Sequence, residues 1–298
     1  MIRRAIAHLR LYESVQILFP GAFGILIQQT FPDLRVLLLY GVTYASHVLS
    51  VYSYNDYCDH EIDSANPRKI RHDSKSDRWL RNQTLVLTGI FIAGAAFLPI
   101  GVSLLLAVNQ ITCMAYSDPS IRLKGRLLGS ELAHFVAGYS YFTTGVLVAG
   151  GSPRDHLLGG ILFGLLYLTG GTFNEIMDCH ADREADLRHL VVLAGRRRVL
   201  RAVLVIHYCG FVLLAMYEPT LLMGVCCGIA VLLYATVSRR LVHDVDNSPR
   251  LLRFRRNYRL IFATLLVILS VSRVIDATGE SMVLAGNSEV VRVAPSSD

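Results

Sequence analysis

Charge is scarce in this sequence. Only 17% of its 298 residues are Asp, Glu, Lys or Arg, against 53% hydrophobic, so a single water-exposed surface around one core does not account for the composition. Strand signals are missing too. No run alternates apolar and polar residues with period two, and no ten-residue outer-membrane segments recur, which excludes a β-barrel and leaves an α-helical bundle as the spanning architecture. The six cysteines suggest no disulfide framework. Cys58 and Cys179 fall at the ends of apolar runs, while Cys113, Cys209, Cys226 and Cys227 sit inside them, so reduced thiols are expected. No nucleic-acid-binding motif accompanies the Arg runs, so no nucleic-acid partner is expected and the runs read as contacts to anionic headgroups. A removable leader is not expected either, because the first apolar run contains Pro20 and Gly21 and lacks a small-residue cleavage pattern.

What the sequence does have is apolar stretches of membrane-spanning length. About nine of them recur, near 14–31, 35–54, 83–98, 100–117, 131–149, 157–174, 199–216, 219–237 and 258–275. The fold class is therefore an all-α polytopic membrane protein, one bundle of about nine transmembrane helices. Pro99 and Gly101 mark a tight turn between the third and fourth spans. Residues 1–275 form one domain, and residues 276–298 a short polar tail, expected to be partly disordered. Basic residues fix the orientation. Arg3, Arg4 and Arg10 precede the first span, and the loops after the second, fourth, sixth and eighth spans carry nearly all the rest. The N-terminus and the long loops are thus cytoplasmic, and an odd number of spans puts the C-terminus on the opposite side.

Two of the long loops begin with acidic motifs. One holds Asn55, Asp56, Asp59 and Asp63; the other holds Asn174, Asp178, Asp182 and Asp186. The matching spacing suggests two related halves of one bundle. If each motif continues the preceding helix, spacings of three and four line its carboxylates along one side, where they repel unless a cation neutralises them. Oxygen-only donors suit a hard cation, and Mg2+, held by one or two carboxylates together with phosphate oxygens, fits the pattern. Cys58 with His60, or Cys179 with His180, would not project together well as a zinc site. Basic residues for a phosphate group follow: Arg68, Lys69 and Arg71 after the first motif, Arg122, Lys124 and Arg126 after the fourth span, and Arg183 and Arg188 around the second motif. A diphosphate held this way is a stabilised leaving group, and the adjoining apolar bundle suits a hydrocarbon tail, which points to an allylic isoprenoid diphosphate. Tyr52, Tyr116 and Phe173, near the cytoplasmic ends of their spans, are expected to face the resulting cation. His134 and His207, inside spans, read as packed or pore-lining residues, and Gly170 and Gly171 as places where the sixth span bends or meets a neighbour closely.

At these residues the chain resembles the UbiA superfamily of intramembrane prenyltransferases. The resemblance rests on NDYCDHEID as an NDxxDxxxD motif, on NEIMDCHADREAD as the second acidic motif, and on YSDPSIRLKGR after the fourth span. It implies Mg2+-dependent transfer of a prenyl group from an isoprenyl diphosphate to a lipophilic or aromatic acceptor, often a quinone precursor. Asn55, Asp56, Asp59 and Asp63 would then serve the first metal and the diphosphate, and Asp178, Asp182, Asp186 and Asn174 the second part. Arg68, Lys69, Arg71, Arg122 and Lys124 would contact phosphate oxygens, with Asp56, Asp59, Asp182, Lys124 and Tyr116 as the catalytic set. Where many relatives carry Arg-Pro and a Gly followed by a Thr-Leu-Pro-like stretch, this chain has Arg71-His72 and Leu187 to Val191. Those segments bear on the acceptor. Alternatives with different predictions are a terpene cyclase on the same scaffold, a phosphoribosyl transfer to polyprenyl phosphate, and a non-catalytic lipid-binding or transport protein.

Overall fold

The computed structural model describes residues 11–28, 31–59, 74–239, 241–245 and 248–291. These form ten α-helices and one short 3-10 turn, with no strand among the described residues. In chain order the helices are α1 (Leu11–Leu26), α2 (Leu34–Cys58), α3 (Ser74–Ala95), α4 (Ile100–Ser117), α5 (Gly129–Val148), α6 (Leu157–Glu184), α7 (Leu190–Ala194), α8 (Arg196–Tyr217), α9 (Leu221–Ser238) and α10 (Ser248–Val291). Every apolar stretch expected to span falls on one of them. By length and composition five, namely α2, α4, α6, α8 and α9, are sufficient to cross a bilayer. Their lipid-facing sides explain why residues such as Leu38, Leu104, Val212 and Leu232 are exposed in an apolar protein. α10 continues as helix past residue 276 to Val291, where the sequence suggests an unstructured tail.

Both acidic motifs continue their helices, as their spacing requires. α2 extends through Asn55 and Asp56 and is capped at Asp59; α6 extends through Asn174, Asp178 and Asp182. At its other end α2 starts on Asp33, whose carboxylate accepts the Arg35 N–H at 2.7 Å. The turn between α3 and α4 is closed by Pro99 as the residue before the helix and by the Ser103 hydroxyl, which donates to the Ala95 carbonyl at 2.6 Å. Gly101 is not needed for that turn. It lies inside α4, where a Cβ would make only an ordinary contact with Leu147 at 3.5 Å.

α5 is the central helix, flanked by α1 on one side and α6 on another. Its glycines permit the approach: a Cβ on Gly138 would stand 2.3 Å from the Phe163 carbonyl oxygen of α6, and one on Gly145 would stand 2.0 Å from that of Gly21 in α1. Gly171 answers the sequence expectation of close approach, since a Cβ there would meet the His134 ring at 2.5 Å. Two apolar cores meet along α5. One gathers Tyr44, Val48, Phe91, Leu106 and Tyr141; the other gathers Phe142, Phe163, Phe173, Phe211 and Phe262.

Two buried histidines within the bundle are paired, as an apolar surround demands. His47 bonds Gln110 and, at 3.0 Å, the Tyr141 hydroxyl; His207 bonds Tyr234 and, at 2.9 Å, the Thr169 hydroxyl. Just past the end of α8, the buried Glu218 carboxylate takes Arg273 of α10, whose Nε and Nη2 lie 2.7 and 2.5 Å from its Oε2. None of the six cysteines takes part in a disulfide.

Candidate active site

The last turn of α2 is tied to the end of α4 by two side-chain bonds. Ser117 donates to the Asn55 side-chain oxygen at 2.6 Å, and the Tyr54 hydroxyl donates to Asp118 Oδ2 at 2.6 Å. Asp118 also accepts the Ser120 N–H at 2.9 Å, and its carbonyl accepts the Arg122 N–H at 2.7 Å. Hydrogen bonds from Ser120 and Tyr54 favour the carboxylate and hold the Asp118 pKa down at about 2. The result is a fixed loop that carries Arg122, in a left-handed backbone conformation at φ 47°, and the 3-10 turn Leu123–Gly125 to the end of α2.

Lys124 sits at the centre of that turn, and its ammonium pairs with Asp59. Burial pushes the Lys124 pKa down to about 8, and the charges of Asp182 and Cys58 partly oppose the shift. One lysine therefore touches the first acidic motif and lies within electrostatic reach of the second. Asp56, 3% exposed, and Asp59, 6% exposed, complete the α2 side.

On the other side, α6 ends in a Schellman turn. The Leu187 N–H bonds the Asp182 carbonyl at 3.0 Å and the Asp186 N–H bonds that of Arg183 at 3.2 Å, with Asp186 left-handed at φ 52°. Leu187 is buried beneath Gly125, and the Arg188 N–H donates to the Gly125 carbonyl at 3.1 Å, which fastens the two loops together. The chain then returns His189 under α6. Its Nε2 lies 3.1 Å from Asp182 Oδ2 and its Nδ1 3.5 Å from Glu175 Oε2. Burial alone would lower the His189 pKa, but the Asp182 hydrogen bond and the charges of Glu175, Asp182 and Glu131 outweigh it and raise it.

Glu131, in the first turn of α5, and Glu175 are 6% and 7% exposed, and none of their four carboxylate oxygens makes a well-formed hydrogen bond. Ser130 lies beside them, fully buried. Tyr116 is half-buried, packs edge-on against His134 with ring centroids 5.1 Å apart, and senses the charges of Glu175, Asp182 and Glu131.

The structure thus brings together Asn55, Asp56, Asp59, Lys124, Asp182 and Tyr116 at one pole of the bundle, with Arg122 close enough to Cys58 to act on its charge. Asn174 and Asp178 are half-buried on the α6 extension. Asp186 is not brought in. Its side chain is 89% exposed and sits 3.9 Å from Arg188, because the helix has already ended and the backbone has turned away. Phe173 also departs from expectation, being buried in the second core against Phe254 and Tyr258 at 5.6 and 5.9 Å rather than facing the pole. Asp63, Arg68, Lys69 and Arg71 lie outside the described residues. Glu131, Glu175, His189, Ser117 and Asp118 carried no assignment from sequence. Glu175 and His189 stand seven residues before and after Asp182, a spacing that alone carries no chemical signature.

The residues present fit Mg2+: the two acidic motifs that meet around Lys124 bring carboxylate and amide oxygens, the hard donors such an ion prefers. Among the described residues, no three His, Cys, Asp or Glu side chains converge closely enough to hold a metal unaided. That is consistent with an ion that takes much of its shell from phosphate and water.

The model of the UbiA prenyltransferase family matches residues 17–271. A digeranylgeranylglyceryl phosphate synthase of Halobacterium salinarum is 32% identical over 214 residues, covering 67% of this chain and 73% of that protein. A lycopene elongase/hydratase of Corynebacterium glutamicum is 27% identical over 214 residues, covering 67% and 71%. Among solved structures, a UbiA homologue from Archaeoglobus fulgidus bound to DMAPP and Mg2+ superposes with a TM-score of 0.65 at 18% identity, covering 89% of this chain and 97% of that one. An apo UbiA homologue from Aeropyrum pernix K1 gives 0.68 at 20% identity, covering 87% and 98%.

Proposed function

Because the chain belongs to the UbiA prenyltransferase family and is an integral membrane prenyltransferase, we propose that it transfers a prenyl group from an isoprenyl diphosphate to a lipophilic or aromatic acceptor, such as a quinone precursor, through an allylic cation. The observation that carries this reading is the position of Lys124, paired with Asp59 of α2 and electrostatically coupled to Asp182 of α6. Two anionic motifs with a buried lysine between them favour a ligand that is itself anionic and arrives with cations.

Asp56, Asp59, Asp178 and Asp182 would hold Mg2+, with Asp63 as a further donor and Asp186 left to its turn. Bound Mg2+ supplies neutralisation of the diphosphate and stabilises it as a leaving group. Lys124 and Arg122 take phosphate oxygens, with Arg68, Lys69 and Arg71 of the following loop as further cations. Asn55 and Asn174 hydrogen-bond the same group. Tyr116 turns its ring toward the carbon from which diphosphate departs, where an electron-rich face stabilises positive charge. His189 keeps Asp182 in orientation from behind. The site lies on the cytoplasmic face with the N-terminus, and the C-terminus on the other side.

Solved homologues bound to DMAPP and GPP with Mg2+ support the donor class, and relatives named for lycopene elongation and digeranylgeranylglyceryl phosphate synthesis support a lipophilic acceptor. The test is purified protein in detergent with Mg2+, DMAPP or GPP, and an acceptor panel. Diphosphate release coupled to a prenylated product is expected. A hydrocarbon or terpene alcohol made in quantity without acceptor would indicate cyclisation instead, and prenyl diphosphate left intact in every arm would overturn the proposal.

A further inference from the structure

We propose that His134 is a positioning residue for prenyl transfer: seated in the notch at Gly171 and tethered to Ser130, its ring holds the Tyr116 ring in the plane that turns an electron-rich face to the ionising carbon. The inference rests on the prenyl-transfer reading and adds to it the group that aligns Tyr116.

Three helices meet at this ring. α4 brings Tyr116 on its last turn, α5 brings His134, and α6 brings Gly171. A histidine inside a span is expensive compared with an apolar residue of the same size, so its polar atoms are expected to have a task. Nδ1 donates to the Ser130 carbonyl, one turn earlier, at 2.8 Å. Because a carbonyl only accepts, the neutral ring carries its proton on Nδ1 and its lone pair on Nε2. The Nε2 edge lies against α6. A Cβ on Gly171 would stand 2.5, 2.5 and 2.6 Å from Cδ2, Nε2 and Cε1, closer than such atoms approach, so only glycine admits the ring there. One edge of the imidazole is thus tied to its own helix and the other lodged against the next.

A ring held at both edges is a fixed wall. Tyr116 stands against it with centroids 5.1 Å apart and planes at 88°, the edge-to-face arrangement that aromatic quadrupoles favour. That plane matters to the chemistry. An aromatic ring attracts a cation over its face, whereas its edge carries the opposite partial charge, so a quarter turn of Tyr116 exchanges attraction for repulsion at the ionising carbon. The charges of Asp182, Glu175 and Glu131 reach Tyr116, which sets it beside the diphosphate pole. Alignment of this ring therefore acts on the transition state, where positive charge develops, and leaves the binding of the intact diphosphate to the carboxylate and cationic groups. The tether gives histidine an advantage over phenylalanine, which has the same outline and no N–H to fix its rotation.

The experiment is a double-mutant cycle on the full chain in detergent, with Mg2+, GPP and two acceptor probes, a 4-alkylphenol and a glycerol monoalkyl ether, read as diphosphate release. His134→Ala should lower kcat on the order of tenfold while equilibrium dialysis finds GPP affinity within about twofold of wild type, which also reports an intact fold. His134→Phe, which keeps a ring and loses the tether, should fall between the two, and it decides by the same readouts if His134→Ala loses GPP binding. In a Tyr116→Leu background both substitutions should leave kcat within about twofold of that background, because the ring they misalign is gone. The same loss with and without Tyr116, wild-type kcat in both His134 variants, or equal losses of kcat and GPP affinity in both would each overturn the inference and reduce His134 to packing. Wild-type turnover by Tyr116→Leu would overturn the role of Tyr116 and this inference together, with prenyl transfer left standing. No Mg2+-dependent diphosphate release by wild type would overturn the prenyl-transfer reading itself, and this inference with it.

Discussion

Deprotonating Lys124 removes the cation that stands on Asp59, and its pKa of about 8 puts that event in an accessible range. If the ammonium takes phosphate oxygens, kcat/KM falls as pH rises through about 8. Stability moves the other way. The unfolded chain keeps its lysine proton up to the ordinary value of 10.5, so between about 8 and 10.5 it binds more protons than the folded state, and unfolding becomes harder as pH rises. A pH–rate profile beside a thermal melt across the same range checks both signs. Lys124→Arg should carry the activity limb upward, because a guanidinium keeps its proton, and Lys124→Ala should cost kcat/KM on the order of 10²-fold or more. His189→Ala belongs to the same scale. It removes the group behind Asp182, so the apparent Mg2+ requirement should rise about tenfold in a metal titration of activity.

At the level of elements, the acidic spacing makes the extension of α2 and α6 past their apolar parts legible, and the structure agrees. The same spacing reads Asp186 as one more rung of a helix that has in fact stopped. Local turn chemistry decided this, because Asp tolerates the left-handed region better than most residues and serves here where Gly is usual. Asp186→Gly should therefore keep activity and raise stability by about 0.5–1 kcal/mol, read as a higher melting temperature, whereas Asp182→Asn should abolish turnover. Glu131 and His189 escaped the sequence reading for a different reason. They reach the site from α5 and from the return loop through tertiary packing, which no local pattern records. Helix packing also has its own test: Gly138→Ala places a methyl against the Phe163 carbonyl, and a loss of about 1–3 kcal/mol is expected in the same melt.

For the whole molecule, apolar content announced a membrane bundle and basic loops proposed its orientation. Cysteine substitutions at Arg126 and Arg154 should react with a membrane-impermeant maleimide from opposite sides of sealed vesicles. Labelling of both from one side would reverse the assignment. The contact between Lys124 and Asp59 has one more effect, on the order of loading. A resident ammonium already occupies the carboxylate that a divalent ion would seek, so an ion arriving alone must evict it and leave the lysine stranded among low-dielectric surroundings. Chelated to an anion that gives the displaced ammonium a new counterpart, the same ion enters without that penalty. Calorimetric titration should accordingly find feeble uptake of Mg2+ by itself and tight uptake once a prenyl diphosphate accompanies it.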